Sequence, residues 1–277
     1  MKLGGTIFGK WNDAREWAAL ARKQGYSAVT FPVDYRADIK DIDAYRQAAN
    51  EAGLVIAEVG VWNNTLDPDP GKREEAISKA VHQLELADYV GARCCVNVAG
   101  SVGEQWDGPH PDNLTEQTFE AIVLTTQKII DRVKPKKTAY SLEPMPWMYP
   151  HTPDSYVALI EAIGRKGFKA HLDPVNTITS LDLYYNNGAM INEWFDKLGD
   201  QIVSCHAKDT ILGSALTLHI DECRPGEGNL DYRTYLQRVS ELDDNVCVIL
   251  EHMTEEEDYR LGREYLNRVA SELGFKF

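Results

Sequence analysis

Two hydrophobic periods alternate along this chain. Short apolar runs of strand length come first, and each is followed by a longer stretch with apolar residues at helical spacing. The first pair is a strand near Leu3 to Phe8 and a helix from about Asn12 to Lys23, where Trp17, Ala18, Leu20 and Ala21 share a face. Ala28 to Val33 precedes a helix over Ile39 to Ala52. Leu54 to Trp62 reads as the third strand, after which Asp69-Pro70-Gly71 opens a long helix to about Val90. Ala76, Ile77, Ala80, Val81, Leu84 and Ala87 form its inward stripe. Arg93 to Val98 leads into a polar Gly/Pro/Asp loop to Asn113 and a helix to about Val133. Four more apolar runs, at 139–144, 168–174, 202–209 and 246–252, precede helices near 153–165, 183–198, 230–242 and 256–273.

Strands that alternate with helices specify a parallel sheet, and eight repeats allow it to close into a barrel. The α/β fold expected is therefore a single (β/α)8 barrel. A length of 277 residues suits one such domain over 1–277, since these barrels typically run to ~250 residues. A doubly wound open sheet is the alternative, but no G-x-G-x-x-G follows the first strand. The loops at 100–113 and 210–229 read as a lid, as partner contacts or as ordinary surface loops.

Composition narrows the function. No stretch is long and apolar enough to span a bilayer, and the N-terminal residues lack the apolar segment of a secretory signal, so a cytoplasmic location is expected. The five cysteines, Cys94, Cys95, Cys205, Cys223 and Cys247, include no C-x-x-C pair and read as buried thiols. A formal charge of −14 with no basic stripe disfavours nucleic acid and leaves a small neutral ligand more plausible.

The candidate chemistry lies in the last four apolar runs, which end on Glu143, Asp173, His206 and Glu251. A barrel collects the C-terminal ends of its strands on one rim, so these four side chains are expected to converge there. Each carboxylate alone could equally cap a helix or pair with a lysine. Together, three unpaired carboxylates would repel one another without a cation, and with one imidazole they suit a hard to borderline divalent ion. Lys208 shares a strand face with His206 and could stabilise developing negative charge or simply pair with Asp209. His171 lies one pleat below Asp173, as a substrate contact or as a hydrogen-bonded interior histidine. Trp62 and Trp147 could cover a sugar's apolar face or pack the rim, with Phe8, Trp11 and Trp106 as weaker candidates. Glu58 and Asn97 could bind hydroxyls or form an interior polar pair. His82, His110, His151, His219 and His252 receive no catalytic role, although His219 and Arg224 fall in a plausible pocket loop.

On the Glu143, Asp173, His206, Glu251 set, with His206-Ala207-Lys208-Asp209 and Pro225-Gly226-Glu227-Gly228-Asn229-Leu230-Asp231-Tyr232, the whole chain resembles the xylose isomerase-like TIM-barrel superfamily. That group includes ketose 3-epimerases, sugar isomerases and inosose dehydratases. The resemblance implies one divalent ion, commonly manganese, magnesium, cobalt or zinc, held by those four side chains, and a dimer or tetramer. The chain departs from the ketose-epimerase branch at Asn176, where that branch typically has histidine, and at Tyr149, where it has glutamate.

The expected activity is a metal-dependent sugar isomerase or epimerase acting on a ketose or related polyol ketone through an enediolate. Glu143 and Glu251 serve as ligands and as bases on opposite faces of a carbon. Glu58, Trp62, Trp147, His171, Asn176 and Lys208 are the expected substrate contacts. The rival is a lyase, which would use the same enolate to expel a substituent from an inosose or a 3-keto-glycoside. Endonuclease IV-like hydrolysis is disfavoured by the acidic charge and the scarcity of further histidines at strand ends. A non-catalytic sugar-binding protein would not require a carboxylate-rich centre.

Overall fold

The structure is a computed structural model describing residues 1–277. Its strands are β1 (Lys2–Gly4), β2 (Ala28–Thr30), β3 (Val55–Gly60), β4 (Cys94–Asn97), β5 (Tyr140–Leu142), β6 (Ala170–Leu172), β7 (Ile202–Ala207), β8 (Asp209–Leu212), β9 (Ile220–Cys223) and β10 (Cys247–Leu250). Eight of them are parallel and lie in two arcs, β2-β3-β4-β5 and β1-β10-β7-β6. Backbone bonds join the arcs at both seams. Ser27 N donates to Leu3 O (2.9 Å), Tyr140 N to Gly167 O (2.8 Å) and Lys169 N to Tyr140 O (3.1 Å). The ring closes as the alternating sequence pattern predicts, and the fold is a TIM barrel.

The helices are α1 (Ala14–Lys23), α2 (Ile39–Glu51), α3 (Pro70–Val90), α4 (Glu116–Val133), α5 (Pro153–Ile163), α6 (Leu181–Tyr185), α7 (Asn187–Leu198), α8 (Tyr232–Ser240) and α9 (Glu256–Glu272). Local chemistry sets their starts. Asp13 and Asp69 accept from the first free N–H groups of α1 and α3, and Thr152 forms a capping box with Ser155 at α5. Trp17 of α1 and Trp194 of α7 are fully buried in the layer between helices and barrel, burial that stabilises by roughly 1.5–3 kcal/mol for a large apolar side chain. All five cysteines are free thiols, and four of them are buried.

Three expectations need correction. The helix placed at 183–198 is two, α6 and α7, because Asn186 leaves helical geometry between them. The loop at 210–229 contains an antiparallel hairpin: β8 pairs with β9 from Asp209↔Cys223 to Leu212↔Ile220. The first two strands stop at Gly4 and Thr30 rather than running to Phe8 and Val33. Of the residues beyond them, Thr6, Ile7, Phe31 and Pro32 line the mouth of the barrel.

A candidate metal centre at the strand ends

Glu143, Asp173 and Glu251 each follow the last residue of a strand, β5, β6 and β10, and His206 is the penultimate residue of β7. Register brings them level. Ile249 pairs with His206, Leu172 pairs with Cys205, and Glu143 N donates to Asn97 O at 2.8 Å. Ligand atoms of the four side chains all lie within 4.8 Å of one another. From His206 Nδ1 it is 2.9 Å to Glu251 Oε2, 3.2 Å to Glu143 Oε1 and 3.9 Å to Asp173 Oδ2.

The electrostatics are those of crowded carboxylates. Burial pushes Asp173 up to about 7, with Glu251 and Glu143 adding to the shift and Lys208 and His206 opposing it. Burial would lower His206, but Glu251, Glu143 and Glu58 outweigh it and hold the imidazole well above its ordinary value. Burial would also raise Glu251, but His206 and Lys208 hold it well below the usual carboxylate range. Asp173 Oδ2 is buried without a hydrogen bond, its contact with Lys208 being an ion pair that lacks hydrogen-bond geometry. This open acceptor among three carboxylates and an imidazole suits a hard to borderline divalent ion.

Lys208 does not pair with Asp209. Its ammonium, only 1% exposed, donates to Glu251 Oε1 and lies 2.9 Å from Asp173 Oδ2 and from Glu222 Oε1. Burial disfavours the charge, yet Asp173, Glu251, Glu143 and Glu222 raise its pKa well above the lysine value. Asp209 points into the loop after the hairpin and accepts from the N–H groups of Thr210, Gly226, Gly228 and Leu230. The two short motifs of the sequence thus form one unit, in which Asp209 ties residues 226–230 against β8. Gly228 permits it, since a Cβ there would collide with Asp209 Oδ1 and Thr210 O.

A cavity of about 1190 Å³ opens over the centre. Trp62, Trp147, Asn176 and Glu58 line it, together with Glu143, His206 and Glu251. Asn176 Nδ2 donates to Glu143 Oε1 (2.9 Å). The Trp62 ring lies beside His206, with centroids 6.4 Å apart, and the residue adopts φ 48°. His252, next to Glu251 in the chain, has φ 57°. Left-handed backbone at non-glycine residues costs about 1–3 kcal/mol and gathers at functional sites. Trp11 and Trp106 also line the cavity, whereas Phe8 packs on Tyr259 and does not.

Both carboxylate oxygens of Glu58 are engaged by side chains of the barrel interior. Its Oε1 accepts from Ser204 Oγ (2.6 Å) and lies 3.0 Å from His171 Nε2, and its Oε2 lies 3.3 Å from His206 Nε2. The charged histidine holds Glu58 far below the usual carboxylate range, although burial alone would raise it. His171 is fully buried, as the interior reading expects, and reaches Glu58 rather than the cavity. Asn97 pairs with Asn63 and Tyr140, not with Glu58.

Sequence reasoning missed Glu222 and His252, which both line the cavity. Glu222 Oε2 lies 2.9 Å from His252 Nδ1, and that hydrogen bond raises the imidazole above its ordinary value. Glu222 arrives on the hairpin, so only the brief alternation in Ile220-Asp221-Glu222-Cys223 could have located it. His219 is exposed at the hairpin's far end, and Arg224 pairs with Glu227 and Asp258 outside the cavity.

Residues 18–269 match the family described as xylose isomerase-like TIM barrel. No curated protein matches the sequence. Among solved structures, the chain is similar to a xylose isomerase-like TIM barrel protein from Mycobacterium smegmatis in complex with magnesium (16% identity, TM-score 0.68, 93% of this chain and 89% of that one). It is also similar to D-psicose 3-epimerase from Clostridium cellulolyticum H10, solved with D-tagatose (15% identity, TM-score 0.67, 96% of each chain). A third is the probable 3-DHS dehydratase of petrobactin synthesis from Bacillus anthracis (15% identity, TM-score 0.71, 95% of this chain and 96% of that one). At such identities the likeness is one of fold.

Proposed function

The chain belongs to the xylose isomerase-like TIM-barrel family, and from that premise we propose that it is a divalent-metal-dependent isomerase or epimerase of a ketose or related polyol ketone. The same reading takes 1–277 as one domain of a cytoplasmic enzyme. The observation that carries it is the convergence of Glu143, Asp173, His206 and Glu251 beneath an aromatic-walled cavity. Solved relatives of this fold include a ketose 3-epimerase and a protein in complex with magnesium, in keeping with that reading.

Those four residues would hold the ion, which supplies Lewis acidity that makes a carbonyl's neighbouring C–H more acidic. The chain's own groups do the rest. Glu143 and Glu251 approach His206 from β5 and β10, so their carboxylates can take a proton from one face of a carbon and return one to the other. Asn176 fixes Glu143, leaving its second oxygen free. Lys208 steadies Glu251 and Asp173 from below the cavity floor.

One observation favours elimination as a second reading. His252 lines the cavity as an imidazole whose basicity the hydrogen bond to Glu222 raises, placed to give a proton to a departing hydroxyl or alkoxide. Incubation with magnesium and ketoses, inososes or 3-keto-glycosides in deuterated water separates the outcomes. Deuterium at a returned centre is the isomerase or epimerase result, and released water or aglycone is the lyase result. No metal-dependent exchange or release with any of them would overturn both readings.

A further inference from the structure

The cavity is larger than one sugar ring needs: its 1190 Å³ exceeds the ~300–1,000 Å³ typical of pockets for drug-sized ligands. Its outer wall is apolar and comes from four separate loops and the hairpin: Trp11 after β1, Trp62 after β3, Trp106 after β4, Trp147 after β5, and Leu218 with Ile220. Two of the indoles have their polar edge already bonded. Trp147 Nε1 donates to Asp107 O (2.7 Å) and Trp11 Nε1 to Tyr45 Oη (3.2 Å), which leaves their flat faces for contact. Trp62, Trp106 and Trp147 are each about two-fifths exposed.

The charged side chains that line the cavity are Glu58, Asp107, Glu143, Glu222 and Glu251, with the imidazoles of His206 and His252. Lysine and arginine do not line it. Lys208, just below the floor, already faces Asp173, Glu251 and Glu222. A phosphate or carboxylate on the substrate would meet this carboxylate field, whereas phosphate sites use arginine, lysine or helix N-termini.

We propose that the substrate is an uncharged glycoside that keeps its aglycone, with the sugar ring over the carboxylate centre and an apolar, ring-bearing aglycone along the tryptophan wall. The inference rests on the enolising reading of the site and sharpens it. Because the anomeric carbon is held in the glycosidic bond, the carbonyl that acidifies the C–H is a ketone on another ring carbon.

The test is calorimetric binding to the magnesium-loaded protein, with phenyl β-glucoside, methyl β-glucoside and glucose 6-phosphate as probes. The phenyl glycoside is expected to bind at least tenfold more tightly than the methyl glycoside, and the phosphate ester at least tenfold more weakly. Trp106→Ala and Trp147→Ala reduce the phenyl preference toward unity. Trp106→Phe and Trp147→Phe keep a flat face and restore the preference, which separates loss of the wall from a folding defect. Equal affinity for phenyl and methyl glycosides, tightest binding of the phosphate ester, or no binding of any probe overturns the proposal. Binding is read without turnover, so a failure here is distinct from a failure of the exchange experiment that tests enolisation.

Discussion

Glu58 Oε2 lies 3.3 Å from His206 Nε2, on the side of the imidazole opposite the nitrogen that faces Glu143, Asp173 and Glu251. A carboxylate in that place fixes the ring's orientation and makes its other nitrogen a stronger donor to a cation. Glu58 is itself held by Ser204 and His171, so the orientation of His206 is built from three strands, β3, β6 and β7. Glu58→Gln keeps the size and removes the charge. It is expected to weaken magnesium or manganese binding ~10–100-fold with a retained fold, the usual cost of losing such a partner. Chelator competition with circular dichroism on the same sample checks it; unchanged affinity would reduce Glu58 to barrel packing.

The ligand assignment predicts one tight site per chain after mild chelation and reconstitution. Asp173→Asn and His206→Ala each remove a donor from the four, so tight binding should be lost in both. Elemental analysis and calorimetry read the stoichiometry, and wild-type affinity in either variant would refute the assignment.

For the bases, Glu143→Gln and Glu251→Gln should cut substrate-proton exchange by ~10²–10⁴, the usual contribution of a positioned acid or base. The comparison is made at matched metal occupancy, because each glutamate is also a ligand in this reading. Full exchange in both variants would mean that neither carboxylate moves the proton.

Protonation in the centre predicts how metal binding responds to pH. Asp173 is raised to about 7 and His206 well above its ordinary value, so both carry protons at pH 6 that a bound cation must displace. Affinity should therefore rise between pH 6 and 8, by about tenfold per pH unit for each proton displaced. The sign for the protein without metal is opposite. In that range the native state holds more protons than the unfolded chain, so its stability falls as pH rises through the folded values. Thermal melting with and without magnesium at pH 6 and 8 reads both slopes, and an equal metal-induced shift at the two pH values would contradict them.

The sequence made the barrel and the four convergent residues legible for the same reason. Strand and helix periods are local, and a parallel barrel sends every strand end to one rim. What stayed hidden depended on distant pairing. Glu58 meets His206 across 148 positions, and Lys208 meets Glu251 across 43, so neither contact leaves a mark in a local pattern. Lys208 beside Asp209 in sequence suggested a pair, but neighbouring residues on a strand point to opposite faces, and the two side chains separate accordingly. The hairpin was concealed by its brevity: β8 and β9 have four residues each, too few for a clear alternation of apolar and polar positions.

That hairpin supplies the last prediction, because Glu222 reaches Lys208 and His252 only while β9 stays over the barrel mouth. Asp209 holds the following loop through four N–H groups, and Gly228 leaves room for its carboxylate. A methyl at position 228 would collide with Asp209 and with the Thr210 carbonyl, so Gly228→Ala must break at least two of those bonds. The expected cost is ~1–3 kcal/mol, as for leaving buried polar groups unpaired. The damage should be local: faster amide exchange over 209–230, weaker substrate binding, and a metal affinity close to wild type, since none of the four ligands lies in that segment. Hydrogen exchange followed by mass spectrometry, with metal calorimetry on the same variant, makes the comparison. Loosening spread over β5 and β6 as well would show that residue 228 supports the barrel as a whole rather than the hairpin alone.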